Sequence, residues 1–516
     1  MSAVFPHVDI IALKKFAAAA AAGEHAYRLG RSSAMGGSPS PGKKNGKAKS
    51  QDSRPPYPVV TGFQDVCHTG EQMIMITFDP RSVPLGPHSM LAHFPRGRPT
   101  YTTKSLVGMT QIARDHAQII APKIYGYYDN VPNPINAEVV LLELLPGECL
   151  DDIWMDLEPR QITTVCARLG ELLVKLFNCR SPVLCSETDV PDSPPRTPEE
   201  SAHYRRPVLL SPPFDEGPLV HMEPQEGLSS THDYLLALAK RPERVFGGRA
   251  EVPGTRDTGW PDSSPLSDAD VAAVRNTWKR LGYLISYHSG GFYIPGSLSP
   301  EARFTAYSVL RSKEFGVLHW DMQMARFVVH WARPGDVHSD ATLALTGWEY
   351  ATRAPLWSCA RMPSWLRPHL HPFERITWEG QRNVRQFIFH SIFHGDFVPR
   401  ARAWQWVIAH VYGATERWFE GLVGAHWGFR GAAEVLLVRL RDHWMRERPD
   451  VPFPLDTDEA QARDVPVIPT RPLPEEEILE GDTGADPLLV HARTFIEEVS
   501  KVMDTLGSEI AAAREA

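Results

Sequence analysis

Between Tyr57 and Leu145 the apolar residues fall in short blocks. QMIMITF (Gln72–Phe78), SMLAHF (Ser89–Phe94) and EVVLLELL (Glu138–Leu145) sit between stretches rich in Gly, Pro and polar residues, which is the texture of strands. A helix-length segment, KSLVGMTQIARDH, lies between the second and third blocks, and IIAPKIYGYYDN follows it. Strands, one helix and further strand predict a small α+β lobe over residues 57–146.

Beyond Gly147 the apolar period lengthens. QITTVCARLGELLVKLF spaces Ile162, Val165, Leu169, Leu172, Leu173 and Leu176 by three and four residues, one buried face of a helix. Helical texture with recurrent Trp and Leu returns at 267–287 and 380–446, so residues 147–450 are expected to form a helical lobe, interrupted by a Pro/Ser-rich surface insertion at 186–227. The flanks differ in composition. Residues 1–56 read as a largely disordered basic tail with one short helix near 9–28, and 451–487 as an acidic, Pro-rich linker. Asp486-Pro487 then opens a terminal amphipathic helix over 488–516 that carries Leu489, Phe495, Ile496, Val499 and Leu506.

Composition narrows the class. A chain of 516 residues with 42% hydrophobic and 22% charged residues is globular. Its net charge of −8 conceals nine Lys/Arg against three Asp/Glu in residues 1–55, so the remainder is strongly acidic, which argues against a nucleic-acid partner. No run approaches the roughly 18 apolar residues of a membrane span; the alanine-rich run Phe16–Ala22 is short and follows Lys14 and Lys15. The six cysteines are scattered without CxxC pairs, as expected of thiols in a reducing compartment. The expected location is the cytoplasm, since Asp9 and Glu24 interrupt what would otherwise resemble a mitochondrial transit signal.

Three His-x-Asp triplets are candidates for chemistry: His319/Asp321, His338/Asp340 and His394/Asp396. Only the first follows an apolar, strand-like run and is succeeded by a Trp-Glu element, LTGWEYATRAPLW. Preceded by LLELLPGECLDDIW, this order of motifs resembles the fungal branch of the aminoglycoside phosphotransferase-like, or choline-kinase-like, superfamily over about residues 65–370. Glu143, Gly147, Leu150, Ile153 and Trp154 match its hinge. The resemblance implies a protein-kinase-like α+β fold in two lobes, a small antiparallel-sheet N-lobe and a larger, mainly helical C-lobe.

It also implies a set of roles. Phosphoryl transfer in such a fold depends on positioning and on cations that neutralise spread negative charge: magnesium held by an Asn and an Asp, a basic residue on a strand, and a glutamate that orients it. By resemblance Asp321 is the base and His319 its companion in the loop, yet Arg326 stands where the Asn belongs and Gly347 where the Asp belongs. Glu349 is the candidate substitute ligand. His93 replaces the strand Lys or Arg, Leu106 the helix glutamate, and Gly70 alone represents the phosphate loop; Gly70, His93 and Glu143 remain as cofactor-contacting candidates.

A guanidinium has no lone pair for a metal and stays protonated. Two unit charges about 4 Å apart repel by roughly 4 kcal/mol at an effective dielectric near 20, enough to weaken divalent binding about a thousandfold. The expected protein is therefore a kinase-fold pseudoenzyme without a certain cofactor, acting by binding an unidentified small molecule or protein partner. The alternative is an active small-molecule O-phosphotransferase that uses ATP and magnesium with Asp321 as base.

Overall fold

The computed structural model describes residues 7–23, 58–66, 72–83, 86–95, 101–185, 208–215, 225–240, 268–287, 300–366, 378–395, 399–424 and 430–457. Gly70, Asp396, most of the 1–56 and 186–227 segments, and everything after Thr457 lie outside them, including the acidic linker beyond that point and the terminal helix expected at 488–516.

The fold is α+β. Strands β1 (Val60–Asp65), β2 (Gln72–Phe78), β3 (Ser89–Phe94), β4 (Ile124–Tyr128) and β5 (Val139–Glu143) form a five-stranded antiparallel sheet in the order β1-β2-β3-β5-β4, with β3 at its centre. The three apolar blocks of the sequence are β2, β3 and β5. The expected helix is α2, Tyr101–Asp115. Strand β1 has no apolar block of its own: its burial pattern leaves only Val60 fully covered, as an edge strand allows.

Alternation along the central strands gives the sheet two different faces. Met90, Ala92 and Phe94 of β3 join Ile74, Ile76, Val139 and Leu141 in one core, and that core is closed by a helix from the N-terminal segment, α1 (Ile10–Ala21). Asp9 caps α1, its carboxylate accepting from the backbone N–H of Ile11 and Ala12 at 2.9 and 3.0 Å. Leu13, Phe16, Ala17 and Ala20 fall on one face, and Phe16 meets Tyr128 with ring centroids 4.6 Å apart. This part of the N-terminal segment is thus a structural layer of the lobe. The Lys-rich stretch that follows it lies outside the described residues.

The other face of the sheet looks toward α2 and the second lobe. Val140 and Leu142 of β5 share their core with Leu106, Met109 and Ile112 of α2 and with the helices of the C-lobe. Chain direction changes at the hinge, where Gly147 has φ +126° and a β-carbon would run into the carbonyl oxygen of Val329; only glycine fits both demands. From there β6 (Glu148–Cys149) enters a small sheet of the C-lobe, pairing with β10 (Phe327–Trp331), which in turn pairs with β11 (Ala341–Leu345). A short helix, α3 (Leu150–Ile153), and the buried Trp154 follow, with Trp154 edge-on to Trp365.

Helix α4 (Pro159–Asn178) forms the C-lobe axis. Pro159 starts it, the Gln161 side chain accepts from the Glu158 N–H at 2.9 Å, and Val165, Leu169, Leu172, Leu173 and Leu176 are buried as their spacing requires. Further helices span Asp268–Tyr287, Trp378–His394, Arg400–Tyr412, Ala414–Gly424 and Arg430–Glu447. Of the 186–227 insertion, the described part includes strands β7 (Val208–Leu209) and β8 (Gln225–Glu226), which pair with each other. Beside α4 lies a two-stranded ribbon of β9 (Phe315–Leu318) and β12 (Thr352–Pro355), and its ends deliver the candidate site. No helix among the described residues is long and apolar enough to cross a membrane.

Candidate functional site in the inter-lobe cleft

Two loops build the site. One runs from β9 to β10 and carries His319, Asp321 and Arg326; the other leaves β11 and carries Thr346, Gly347 and Glu349. The antiparallel register decides their meeting. Phe327 pairs with Leu345, so the residues just before β10 and just after β11 are neighbours. Thr346 confirms this by donating to the Arg326 carbonyl twice, from its N–H at 2.9 Å and its hydroxyl at 3.1 Å. Positions 326 and 347 are distant in sequence and adjacent in space.

Arg326 turns its guanidinium onto Asp321. Nε donates to Asp321 Oδ2 at 2.7 Å, and Nη2 lies 2.6 Å from the same oxygen. The pair is partly covered, with side-chain exposures of 13% for Arg326 and 30% for Asp321. Gly347 has φ +76°, and a β-carbon there would lie 2.9 Å from Nε, 3.0 Å from Cδ and 3.1 Å from Cζ of Arg326. The arginine fills the space into which a side chain at position 347 would grow.

His319 is buried, and its Nε2 lies 2.9 Å from the Thr346 carbonyl oxygen, which can only accept; the proton therefore sits on Nε2. Its ring stands edge-on to Trp348, with centroids 4.9 Å apart. Burial pushes its pKa down to about 4, with Asp321 acting upward and Arg326 downward. At neutral pH it is an uncharged brace between the two loops.

His93 reaches the site from the other lobe. It lies on β3 opposite Val140 of β5, on the face away from Met90 and Ala92, and its Nε2 is 3.0 Å from Glu349 Oε1. Both residues are buried, at 3% and 8% exposure. Burial alone would raise the Glu349 pKa, but the charge and hydrogen bond of His93, the charge of Arg326 and a backbone hydrogen bond outweigh it and hold the carboxyl at about 2.

The remaining predicted residues separate from this cluster. Leu106 is buried in the α2 core. Glu143, at the end of β5, accepts from the Lys123 N–H at 2.9 Å and lies 3.5 Å from Arg114 Nη1, so its carboxylate ties β5 to the segment between α2 and β4. Gly70 lies outside the described residues. Of the rival triplets, Asp340 accepts two bonds from Arg168 at 2.8 Å and His338 contacts Arg160, a hairpin-loop arrangement on the outer side of α4. His394 ends a helix, and Asp396 is outside the described residues.

Sequence reasoning missed two features. The first is the His93–Glu349 contact, for which no local pattern exists. The second lies behind the loop: Trp320, between His319 and Asp321, is covered by the Arg361 guanidinium 4.7 Å from its ring centroid. Arg361 pairs in turn with Glu420, which is fully buried and also accepts from Tyr234 and, at 2.8 and 2.7 Å, from Ser358. A buried carboxylate with this many donors is held in one geometry, and so is the arginine above Trp320.

The arrangement does not fit magnesium. Asp321 is engaged by a guanidinium, Glu349 by His93, and the Gly347 side offers no oxygen. Among the described residues no group of three or more His, Cys, Asp or Glu side chains is placed to hold a metal ion.

No family model matches the chain. Subtelomeric hrmA-associated cluster proteins from two strains of Aspergillus fumigatus are 29% identical to it over 82 residues, which is 16% of this chain and 16% of theirs. Among solved structures, the GDP and kanamycin complex of the aminoglycoside phosphotransferase APH(2")-IIIa superposes over 75% of this chain and 94% of its own, at 9% identity and a TM-score of 0.32. The streptomycin and ATP complex of APH(2")-IIa superposes over 75% and 93%, at 8% identity and a TM-score of 0.34. At these TM-scores the likeness fixes no residue correspondence; the fold class follows from the strand order and the two lobes.

Proposed function

We propose that the protein is an aminoglycoside phosphotransferase-like, kinase-fold pseudoenzyme that has kept the scaffold of phosphoryl transfer and given up its metal, acting by binding a ligand or partner protein. The observation that carries the reading is the Arg326 side chain, bonded to Asp321 and seated against Gly347. A fixed guanidinium supplies one unit of positive charge where a divalent ion would bring two, and it has no coordination site for a nucleotide's phosphate oxygens to share.

His93 fits the same account. A histidine engaged with Glu349 is not free to steady a phosphate, and Leu106 offers no carboxylate to orient it. A second reading is kept by Asp321 itself, whose side chain is 30% exposed and whose carboxylate would accept a hydroxyl proton in an ATP-dependent O-phosphotransferase.

Thermal melting with ATP separates the two, because a ligand that binds only the folded state raises the melting temperature. The pseudoenzyme reading expects the same midpoint in magnesium and in EDTA, and no ATP consumption. A magnesium-dependent rise together with turnover that Asp321→Asn abolishes would establish the enzyme instead.

A further inference from the structure

We infer that the His93–Glu349 contact is a clasp that holds the two lobes closed against each other. The inference goes beyond the loss of metal chemistry and does not depend on it.

The argument is one of attachment. Among the described residues, the lobes are joined at two further places. One is the hinge that ends at Gly147. The other is the segment after α2, where Ile120 bridges Ala344 of β11, the Leu345 N–H donates to the Ile120 carbonyl at 2.9 Å, and Lys175 of α4 reaches the Gln118 carbonyl at 3.4 Å. The His93–Glu349 pair adds a side-chain attachment inside the cleft.

Both ends of that pair stand on stiff supports. His93 is on the central strand of the sheet, between Met73 of β2 and Val140 of β5. Glu349 follows Trp348, which is buried and donates from Nε1 to the Leu345 carbonyl at 2.9 Å. Neither support can follow the other through a lobe rotation, so opening must separate the pair. The buried Glu349 carboxylate then exchanges His93 for water, which is tolerable in an open cleft and costly in a closed one. Removal of His93 should therefore favour the open form.

Hydrogen exchange on the full chain, without nucleotide or metal, tests this. His93→Ala is expected to speed exchange about tenfold or more in segments 89–94 and 346–352, while α1 on the opposite face of the sheet and the edge strand β1 keep their wild-type rates. His93→Lys, which keeps a nitrogen donor facing Glu349, is expected to retain most of the protection. Unchanged exchange in His93→Ala would overturn the clasp. So would equal acceleration throughout the N-lobe, or loss of protection in His93→Lys as large as in His93→Ala, since each marks a packing role only. Because no metal enters the experiment, its outcome is independent of the magnesium test above.

Discussion

Arg326 and Gly347 exclude each other's larger alternatives. With a β-carbon at position 347 only 2.9–3.1 Å from the guanidinium stem, an aspartate there and an arginine at 326 compete for one volume. The hairpin register that pairs Phe327 with Leu345 makes the two positions neighbours, so a substitution at one changes the space and charge available to the other.

That coupling is measurable. Gly347→Asp in the native background should lower stability by about 1–3 kcal/mol, from the positive φ and from the overlap with Arg326. Arg326→Asn leaves Asp321 without its partner and should cost about 1–2 kcal/mol, given the partial exposure of the pair. The double variant should lose less than the sum, by about 1 kcal/mol, because the smaller Asn removes the overlap. Denaturant unfolding of the four proteins checks this; strict additivity would mean that the two positions do not compete.

Acid should destabilise the fold in two steps. His319 is held neutral, at about 4 against an ordinary 6.5, mainly by burial. Its contribution is complete above the unfolded value and is lost as pH falls from 6.5 toward 4, because the unfolded chain takes up the proton first; the loss is on the order of 3 kcal/mol. Glu349, held at about 2 against 4.5, adds a second loss as pH falls below 4.5. Melting temperature against pH should fall across the first window in the native protein and more shallowly in His319→Gln.

The N-terminal helix should behave as core. Leu13→Ala is expected to cost about 2–4 kcal/mol, comparable to a substitution in the central sheet, because Leu13 is fully buried among Ile74, Ile76 and Leu141. Chemical unfolding measures it; a cost under about 0.5 kcal/mol would place α1 outside the cooperative unit.

The parts of the fold that were legible are those in which burial imposes a period. The apolar blocks of β2 and β3 and the leucine spacing of α4 could be read directly, whereas Gly147 was marked only by the hinge motif and its reason, the turn against Val329, is visible in the structure alone. Strand β1, largely uncovered, left no such trace. In the site, the sequence marked positions 93, 321, 326, 347 and 349 but not what their side chains touch. Arg326 lies only five residues from Asp321, so an internal charge pair between them is expected from the sequence, and the structure shows it. His93 and Glu349 come from different lobes, and Arg361, in a loop, and Glu420, in the helix Ala414–Gly424, lie 59 residues apart, so nothing local announces either contact. For the same reason Glu349 had been a candidate metal ligand, whereas the structure places it against His93.

The most direct measurement is anomalous diffraction at the manganese edge from crystals soaked with manganese and ATP. The account predicts no anomalous peak within coordination distance of Asp321 or Glu349, with Arg326 still bonded to Asp321. A manganese ion seated between those carboxylates, with the guanidinium displaced, would contradict it.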